Sequence, residues 1–240
     1  MYHSQLHPLQ IDPTTGEPFL RLPAPLQNII ITPPRLSDGA SIVPILNDNA
    51  VCRWLQGPPY PYLPSHAESW LAAAKNDSDV ILNELERASK DGPLKIIDAC
   101  PVRILRETNA NGPDTFLGDI FLHRCQYPYE EPTTKQELSA ENARKEVGDP
   151  TIVWCIGDYL ASSHHGRGIM STALKTLLTA WAIPRMGVRR IRAETFRGNV
   201  GSVRVFEKNG FVLEKTVDHG EVTTSGKRID GAHILWWEYK

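Results

Sequence analysis

Residues 162–169 read Ser-Ser-His-His-Gly-Arg-Gly-Ile, directly after an apolar stretch and directly before a helical pattern. Glycines at a strand-to-helix turn let backbone N–H groups converge on one spot, and the helix N-terminus adds partial positive charge there. Together they favour a phosphate or pyrophosphate. A purely structural turn has the same composition, so the run alone leaves both readings open. It is neither G-x-x-x-x-G-K-[ST] nor G-x-G-x-x-G, which excludes a Walker-type loop and argues against the usual dinucleotide turn. Adjacent loop histidines such as His164 and His165 point apart, and no third ligand lies at metal-site spacing. They read as phosphate donors or cleft-edge residues, and no metal is expected.

The carboxylates are the second chemical signal. Asp158, beside Gly157, interrupts an apolar run, where desolvation would raise its pKa toward that of a general base. A bulge at Gly157 would turn it into a cleft; an edge-exposed or arginine-paired Asp is the alternative. Asp119 in "LGDIF" is a second candidate, with a structural role favoured. Glu194 alternates with Arg190 and Arg192, the pattern of a solvated salt-bridge face.

These residues need elements to position them. "TIVWCIGDYLA" (151–161) has the unbroken apolar character of a central strand. The helix over 168–182 carries Ile169, Ala173, Leu177 and Trp181 every four residues, backed by Leu174 and Leu178. "VRRIRAETF" (188–196) is the next strand, so strand, helix and strand form a βαβ crossover. "NVGSVRVFEKN" (199–209) is a helix capped by Asn199 and ended by Gly210. Upstream, "NIIITPPRL" (28–36) is a strand, Asp38 stands in a cap position, and 38–55 holds a short helix broken or started by Pro44. Residues 65–89 are helical, with Ser65 and Glu68 as a capping box. Strands over 94–107 and 115–125 form an antiparallel hairpin. Two strands, "FVLEKTVD" and "GAHILWWEY", end the chain. The polar stretch 126–149 is an insertion with at most one short helix. Residues 1–27, rich in Pro, Thr and Gln, read as an irregular arm before a single domain over 28–240.

Composition bounds the function classes. The chain has 240 residues, 41% hydrophobic and 22% charged, with a net charge of −2. That is ordinary for a globular enzyme and gives no basic excess for nucleic acid. No run approaches the roughly 20 apolar residues that span a bilayer, and the first residues lack a signal-peptide pattern. Cys52, Cys100, Cys125 and Cys155 are far apart without a C-x-x-C pair, which fits a reducing, cytoplasmic setting.

Two motifs sharpen this reading. The run "SHHGRG" resembles the [QR]-x-x-G-x-[GA] acetyl-CoA loop of the GNAT acetyltransferase superfamily. "NVGSVRVFEKNGF" (199–211) resembles its N-x-x-S-x-x-x-x-E-K-x-G-F signature. The element order β-α-α-β-β-β-α-β-α-β-β also matches, and "PPYPYLPSHAESWL" (58–71) resembles the branch with the ribosomal-protein-alanine N-acetyltransferases. The resemblance covers about 28–240. It implies an α/β fold with a mixed sheet, a splayed parallel strand pair and acetyl-CoA as co-substrate. It further implies direct attack by an amine, on a small molecule or a protein N-terminus, in a monomer or homodimer.

By position, the resemblance assigns the backbone of Tyr159, Leu160 and Ala161 to pantetheine and the acetyl carbonyl. It assigns the amides of His165, Gly166, Arg167, Gly168 and Ile169 to pyrophosphate. Asn199 and Ser202 would face the thiol end, with Ser202 protonating the departing thiolate or simply helping to cap its helix. Asp158, then Asp119, would be the base. Arg189, Arg190 and Arg192 would reach the adenosine-end phosphates or stay solvated. Trp54, Tyr60 and Tyr62 would wall the acceptor pocket or pack the proline loop, and at most one of Trp236 and Trp237 lines it. Two positions depart from the family. Ser163 replaces the usual Gln or Arg, with Arg167 or a histidine compensating. Phe206, at the cofactor, replaces a Tyr able to donate a proton. These departures motivate one alternative, a module that binds acyl-CoA without turnover.

Overall fold

The computed structural model describes residues 5–89, 92–109 and 112–239. The strands are β1 (Gln10–Ile11), β2 (Pro18–Arg21), β3 (Ile29–Thr32), β4 (Ile104–Glu107), β5 (Thr115–Arg124), β6 (Val153–Leu160), β7 (Arg190–Phe196), β8 (Val212–Val217), β9 (Glu221–Val222), β10 (Arg228–Ile229) and β11 (Ala232–Glu238). The helices are α1 (Gly39–Asn47), α2 (Asn49–Cys52), α3 (Pro64–Arg87), α4 (Pro132–Arg144), α5 (Ile169–Leu177), α6 (Ile183–Met186) and α7 (Val200–Glu207). Nine strands form one sheet in the order β1-β2-β3-β4-β5-β6-β7-β11-β8, and β9 and β10 form a separate hairpin. Every pairing is antiparallel except β6 with β7.

That parallel pair is joined only at Val153–Arg190 and Trp154–Ile191. Beyond Trp154 the two strands part, while β6 keeps unbroken register with β5 from Trp154 to Leu160. The sheet separates two apolar layers. Ile169, Met170, Ala173, Leu174, Leu177 and Trp181 bury against one face. Ile42, Leu46, Tyr62, Ala67 and Leu71 cover the other, over Ile104 and Phe116. Alternation along β4 and β5 sends Ile104 and Phe116 to one layer and Leu105 and Leu117 to the opposite one.

Several local expectations need correction. The arm is not irregular throughout: β1 and β2 extend the sheet, and Leu9, Phe19, Leu20 and Leu22 are buried. Proline at the start of β2 costs no ladder bond, so the proline-rich composition masked the strand. Its first four residues lie outside the described range, as do 110 and 111 of the expected hairpin turn and 240, the last residue of the expected domain. Residues 94–103 are not strand. Pro101 has no N–H to donate, and the Ile97 N–H is committed to the Arg185 carbonyl at 2.9 Å.

Pro44 lies inside α1. Helix α3 starts at Pro64, and His66 Nδ1, rather than a Ser65–Glu68 box, accepts the Leu63 N–H at 3.0 Å. Asp38 gives no side-chain cap to α1. Its carboxylate holds the buried Arg106 guanidinium at 2.7 and 2.8 Å. The helix after the glycine turn widens to a π-turn over Leu178–Ala182 before α6. Pro184 cannot donate and would crowd a regular turn, which accounts for the widening. The insertion is anchored: buried Asn142 donates to the Val153 carbonyl at 2.7 Å and accepts the Val153 N–H at 2.9 Å, fixing the start of β6.

Candidate active site

The glycine turn sits at the head of the parted strands. Gly166 and Gly168 have φ of +75° and +77°, which only glycine adopts without strain, and a Cβ at either would meet open space. The amides of Gly166, Arg167, Gly168 and Ile169 have no acceptor among the described residues, and they stand at the N-terminus of α5. The His165 amide does not join them, because it donates to the Ser162 carbonyl at 3.1 Å. The four free amides form a cradle for an anion.

The histidines hold the turn in place. His165 Nε2 bonds the Leu160 carbonyl at 2.8 Å. His164 bonds Ser163 Oγ at 2.8 Å through Nδ1 and Glu107 at 3.3 Å through Nε2. Ser163 thus spends its hydroxyl on a neighbour. Arg167 lies half exposed, 3.6 Å from Glu107. Ser162 Oγ bonds the carboxylate of Asp48, tying the turn to α2. The two rings face different partners and do not converge on one point.

Alternation decides which backbone groups of β6 face the gap. The Val153 carbonyl and the Ala161 N–H both bond toward β5, so residues 153, 155, 157, 159 and 161 turn that way. Residues 156, 158 and 160 therefore face β7 and the opening. This corrects the pantetheine assignment. Leu160 faces the gap, although its carbonyl is taken by His165; Tyr159 faces β5. Ala161 has no group left, since its carbonyl also accepts the His164 N–H.

Asp158 shares a face with Ile156 and Leu160, placed there by regular alternation and not by a bulge. Its carboxylate is half-buried and makes no ion pair or hydrogen bond among the described residues. Burial, and secondarily the negative charge of Asp119, push its pKa up to about 6. Asp119 is a different case. It is buried in a two-bond ion pair with Arg103 at 2.7 and 2.6 Å, which leaves it a structural anchor and not a base. The Phe121 ring covers Gly157, where a Cβ would stand 2.4 Å from it.

On β7, Arg192 is fully buried, bonding Glu194 at 2.5 Å and Glu130 of the insertion at 2.9 Å. The solvated face expected there is thus a buried network. Burial dominates in raising the Glu194 pKa to about 8, despite Arg192. None of the three arginines turns to the cradle: Arg189 stacks on Tyr239, and Arg190 pairs with Glu238. Cys125, Cys155 and Glu194 bring donor atoms within 4.8 Å of one another, the one such group among the described residues, with the Arg192 guanidinium against it.

Asn199 Oδ1 caps α7 through the Ser202 N–H at 3.3 Å, and the half-buried Ser202 hydroxyl has no partner among the described residues. The Phe206 ring does not open to a ligand. It is buried against Phe211, because its helical position faces the sheet. The expected aromatic wall does not form either. Tyr62 is buried beneath α3, Tyr60 is exposed, and Trp54 lies under Lys227. Trp236 bonds Glu214, and Trp237 joins a ring cluster with Phe211 and Tyr239.

Sequence reasoning missed Thr195, whose buried hydroxyl on β7 has no partner among the described residues, and the links from Glu107 and Asp48 to the turn. Those links join residues 57 and 114 positions apart, and no local pattern marks them. A cavity of about 1,100 Å³ lies between the insertion and the 217–219 corner, lined by Tyr129, Glu130, Glu131, Lys135, Asp218 and His219.

A mixed, mostly antiparallel sheet whose one parallel pair parts beneath a glycine turn and a helix N-terminus defines the class as an α/β fold. The Acetyltransferase (GNAT) domain family matches residues 28–212, and the chain belongs to that family. A Bacillus subtilis (strain 168) relative, the probable N-acetyltransferase YjcK, is 41% identical over 59 residues. That match spans 25% of this chain and about a third (32%) of the relative's length. Among solved structures, the ribosomal-protein-S5-alanine acetyltransferase of Vibrio fischeri aligns with TM-score 0.59 at 14% identity, over 92% of this chain and 96% of that one. RimL, a ribosomal L7/L12 alpha-N-protein acetyltransferase in complex with coenzyme A, aligns with TM-score 0.57 at 17% identity, over 92% and 97%. At these identities the likeness is one of fold.

Proposed function

We propose that the protein transfers an acetyl group from acetyl-CoA to a primary amine by direct attack within a ternary complex. One observation carries this reading: β6 and β7 part directly beneath four unpartnered amides. The amides take the pyrophosphate, and pantetheine enters the gap, bonding the inward backbone groups of residues 156, 158 and 160. Family membership and the coenzyme A bound by RimL support acetyl-CoA as the co-substrate.

The amine must arrive neutral, although a lysine-like amine has a pKa of about 10.4. Asp158 is the proton acceptor, being unpaired and raised in pKa. The amine nitrogen attacks the acetyl carbonyl, the tetrahedral oxyanion collapses, and the carbon–sulfur bond breaks. The nitrogen sheds its second proton to solvent as the amide forms, and the Ser202 hydroxyl passes its proton to the thiolate while being reprotonated from that solvent. The acceptor is a small-molecule amine or a protein N-terminus, the latter favoured by the activities named for the Vibrio fischeri and RimL enzymes. The four thiols are unpaired, as suits a cytoplasmic protein. No helix among the described residues is long and apolar enough to cross a membrane.

Initial-rate kinetics test the direct route. A ternary complex gives intersecting double-reciprocal lines when amine and acetyl-CoA are varied together. Parallel lines with an isolable acetyl-enzyme would replace it with a two-step transfer.

A further inference from the structure

Two cations meet on one aromatic ring just after α2. Lys227 Nζ lies 2.9 Å from the Trp54 ring centroid, and the Arg53 guanidinium carbon lies 5.2 Å from it. Neither is in an ion pair among the described residues, and Arg53 Nε is buried without an acceptor. Burial, with the repulsion of Arg53, lowers the Lys227 pKa. Like charges brought together around an unsatisfied donor lack a counter-anion.

The cluster is held in place before any ligand arrives. Lys227 closes the turn of the β9–β10 hairpin: its carbonyl accepts the Thr223 N–H at 2.9 Å, and its own N–H bonds Thr223 Oγ1 at 3.1 Å. The hairpin is fastened to the segment after α2. Ser225 Oγ bonds the Cys52 carbonyl at 3.3 Å, Thr224 Oγ1 bonds the Pro58 carbonyl at 2.8 Å, and Gln56 bonds Glu221 at 3.2 Å. The far edge of the Trp54 ring lies 3.7 Å from where a Cβ of Gly198 would be, in the turn between β7 and Asn199. The cations therefore stand on a ring that reaches the turn just before Asn199, the N-cap of α7.

We propose that Arg53, Lys227 and the Trp54 ring form a binding site for a carboxylate or phosphate group carried by the acceptor near its amine. Arg53 offers paired donors that match either oxyanion, Lys227 adds a point charge, and Trp54 fixes both. The coenzyme phosphates are not its ligand. Helix α2 turns Asp48 toward the glycine turn and carries Arg53 at its opposite end, so the cation stands away from the cradle. The acceptor is then an amine with an anion attached, such as an acidic or phosphorylated peptide. This inference rests on the amine-acetylation reading above.

The test compares peptides with the same free N-terminus, Ala-Glu-Glu-amide, Ala-phosphoserine-Glu-amide and Ala-Gln-Gln-amide, on the wild type and on Arg53→Gln/Lys227→Gln. Expected for the wild type is a kcat/KM about tenfold or more higher for an acidic peptide than for the neutral one, the size of one charge-assisted hydrogen bond. The two acidic peptides distinguish carboxylate from phosphate. In the double variant the preference falls to near one, with KM for acetyl-CoA and the melting temperature unchanged. Equal use of all three peptides by the wild type, or a variant that loses acetyl-CoA affinity instead of the preference, overturns the site. If no peptide is acetylated, the transfer reading fails by itself, and calorimetry of the same peptides still decides the site. Tighter binding of the acidic peptides, lost in the variant, supports it; equal binding or none refutes it.

Discussion

Asp158 carries a carboxylate into an apolar strand with no cation to pair it, and that isolation has two opposite consequences. For stability it is a cost. Its folded-state pKa is about 6, against about 3.9 in an unfolded chain, so between these values the folded protein holds the extra proton. Stability therefore falls as pH rises from about 4 to about 6 and is level above. Asp158→Asn removes the penalty and should raise stability by about 1–3 kcal/mol at pH 8 in urea unfolding. For catalysis the same carboxylate is an asset. Wild-type kcat/KM should climb as pH rises through about 6, and Asp158→Asn should lose that limb and about 10²–10⁴ of the rate. A variant that keeps both would move the base elsewhere. Asp158 was legible in the sequence because a charge in an apolar run needs a reason. Asp119 has the same local signature, and only Arg103, 16 positions away and just before β4, separates anchor from base.

At the scale of elements, the turn and the parted strands make the cradle together. Gly166→Glu puts a carboxylate among the free amides, where the side chain has open space. Calorimetry should show acetyl-CoA affinity at least tenfold weaker, while the melting temperature shifts only by the strain of a positive φ, about 1 kcal/mol. Unchanged affinity would take this turn out of the site. Farther off, buried Arg106 joins three elements, bonding Thr32 Oγ1 at 2.7 Å on β3 as well as Asp38 before α1. Asp38→Ala should cost about 3–5 kcal/mol in denaturant unfolding, by stranding the guanidinium. The paired change Asp38→Leu/Arg106→Met should recover most of it. The strand–helix–strand core was readable because its periodicity is strong and local. The side-chain roles on β7 were not, because alternation alone cannot say that Arg192 is sealed by Glu130 from an insertion 62 positions away.

At the scale of the molecule, the order of strands and helices from residue 28 onward follows from apolar period and punctuation by glycine and proline. The sheet is longer than that pattern suggests. β1 and β2 are short and proline-flanked; β1 buries neither of its residues, and β2 buries three of four. Likewise the β9–β10 hairpin has too few residues to show a period, yet it is fastened to the 52–58 segment. Neither addition bears on β6, where the backbone groups facing the gap belong to residues 156, 158 and 160 and not to 159 and 161 as expected, so the coenzyme side too was read only in part. The direct measurement of the whole account is release of free thiol from acetyl-CoA by the purified protein, with and without a panel of amines and N-terminal peptides. The account predicts thiol release that depends on an amine, in equal amount to the acetylated product, and that is abolished in Gly166→Glu. Tight coenzyme A binding with no thiol release for any amine would contradict it and leave a module that only holds the acyl carrier.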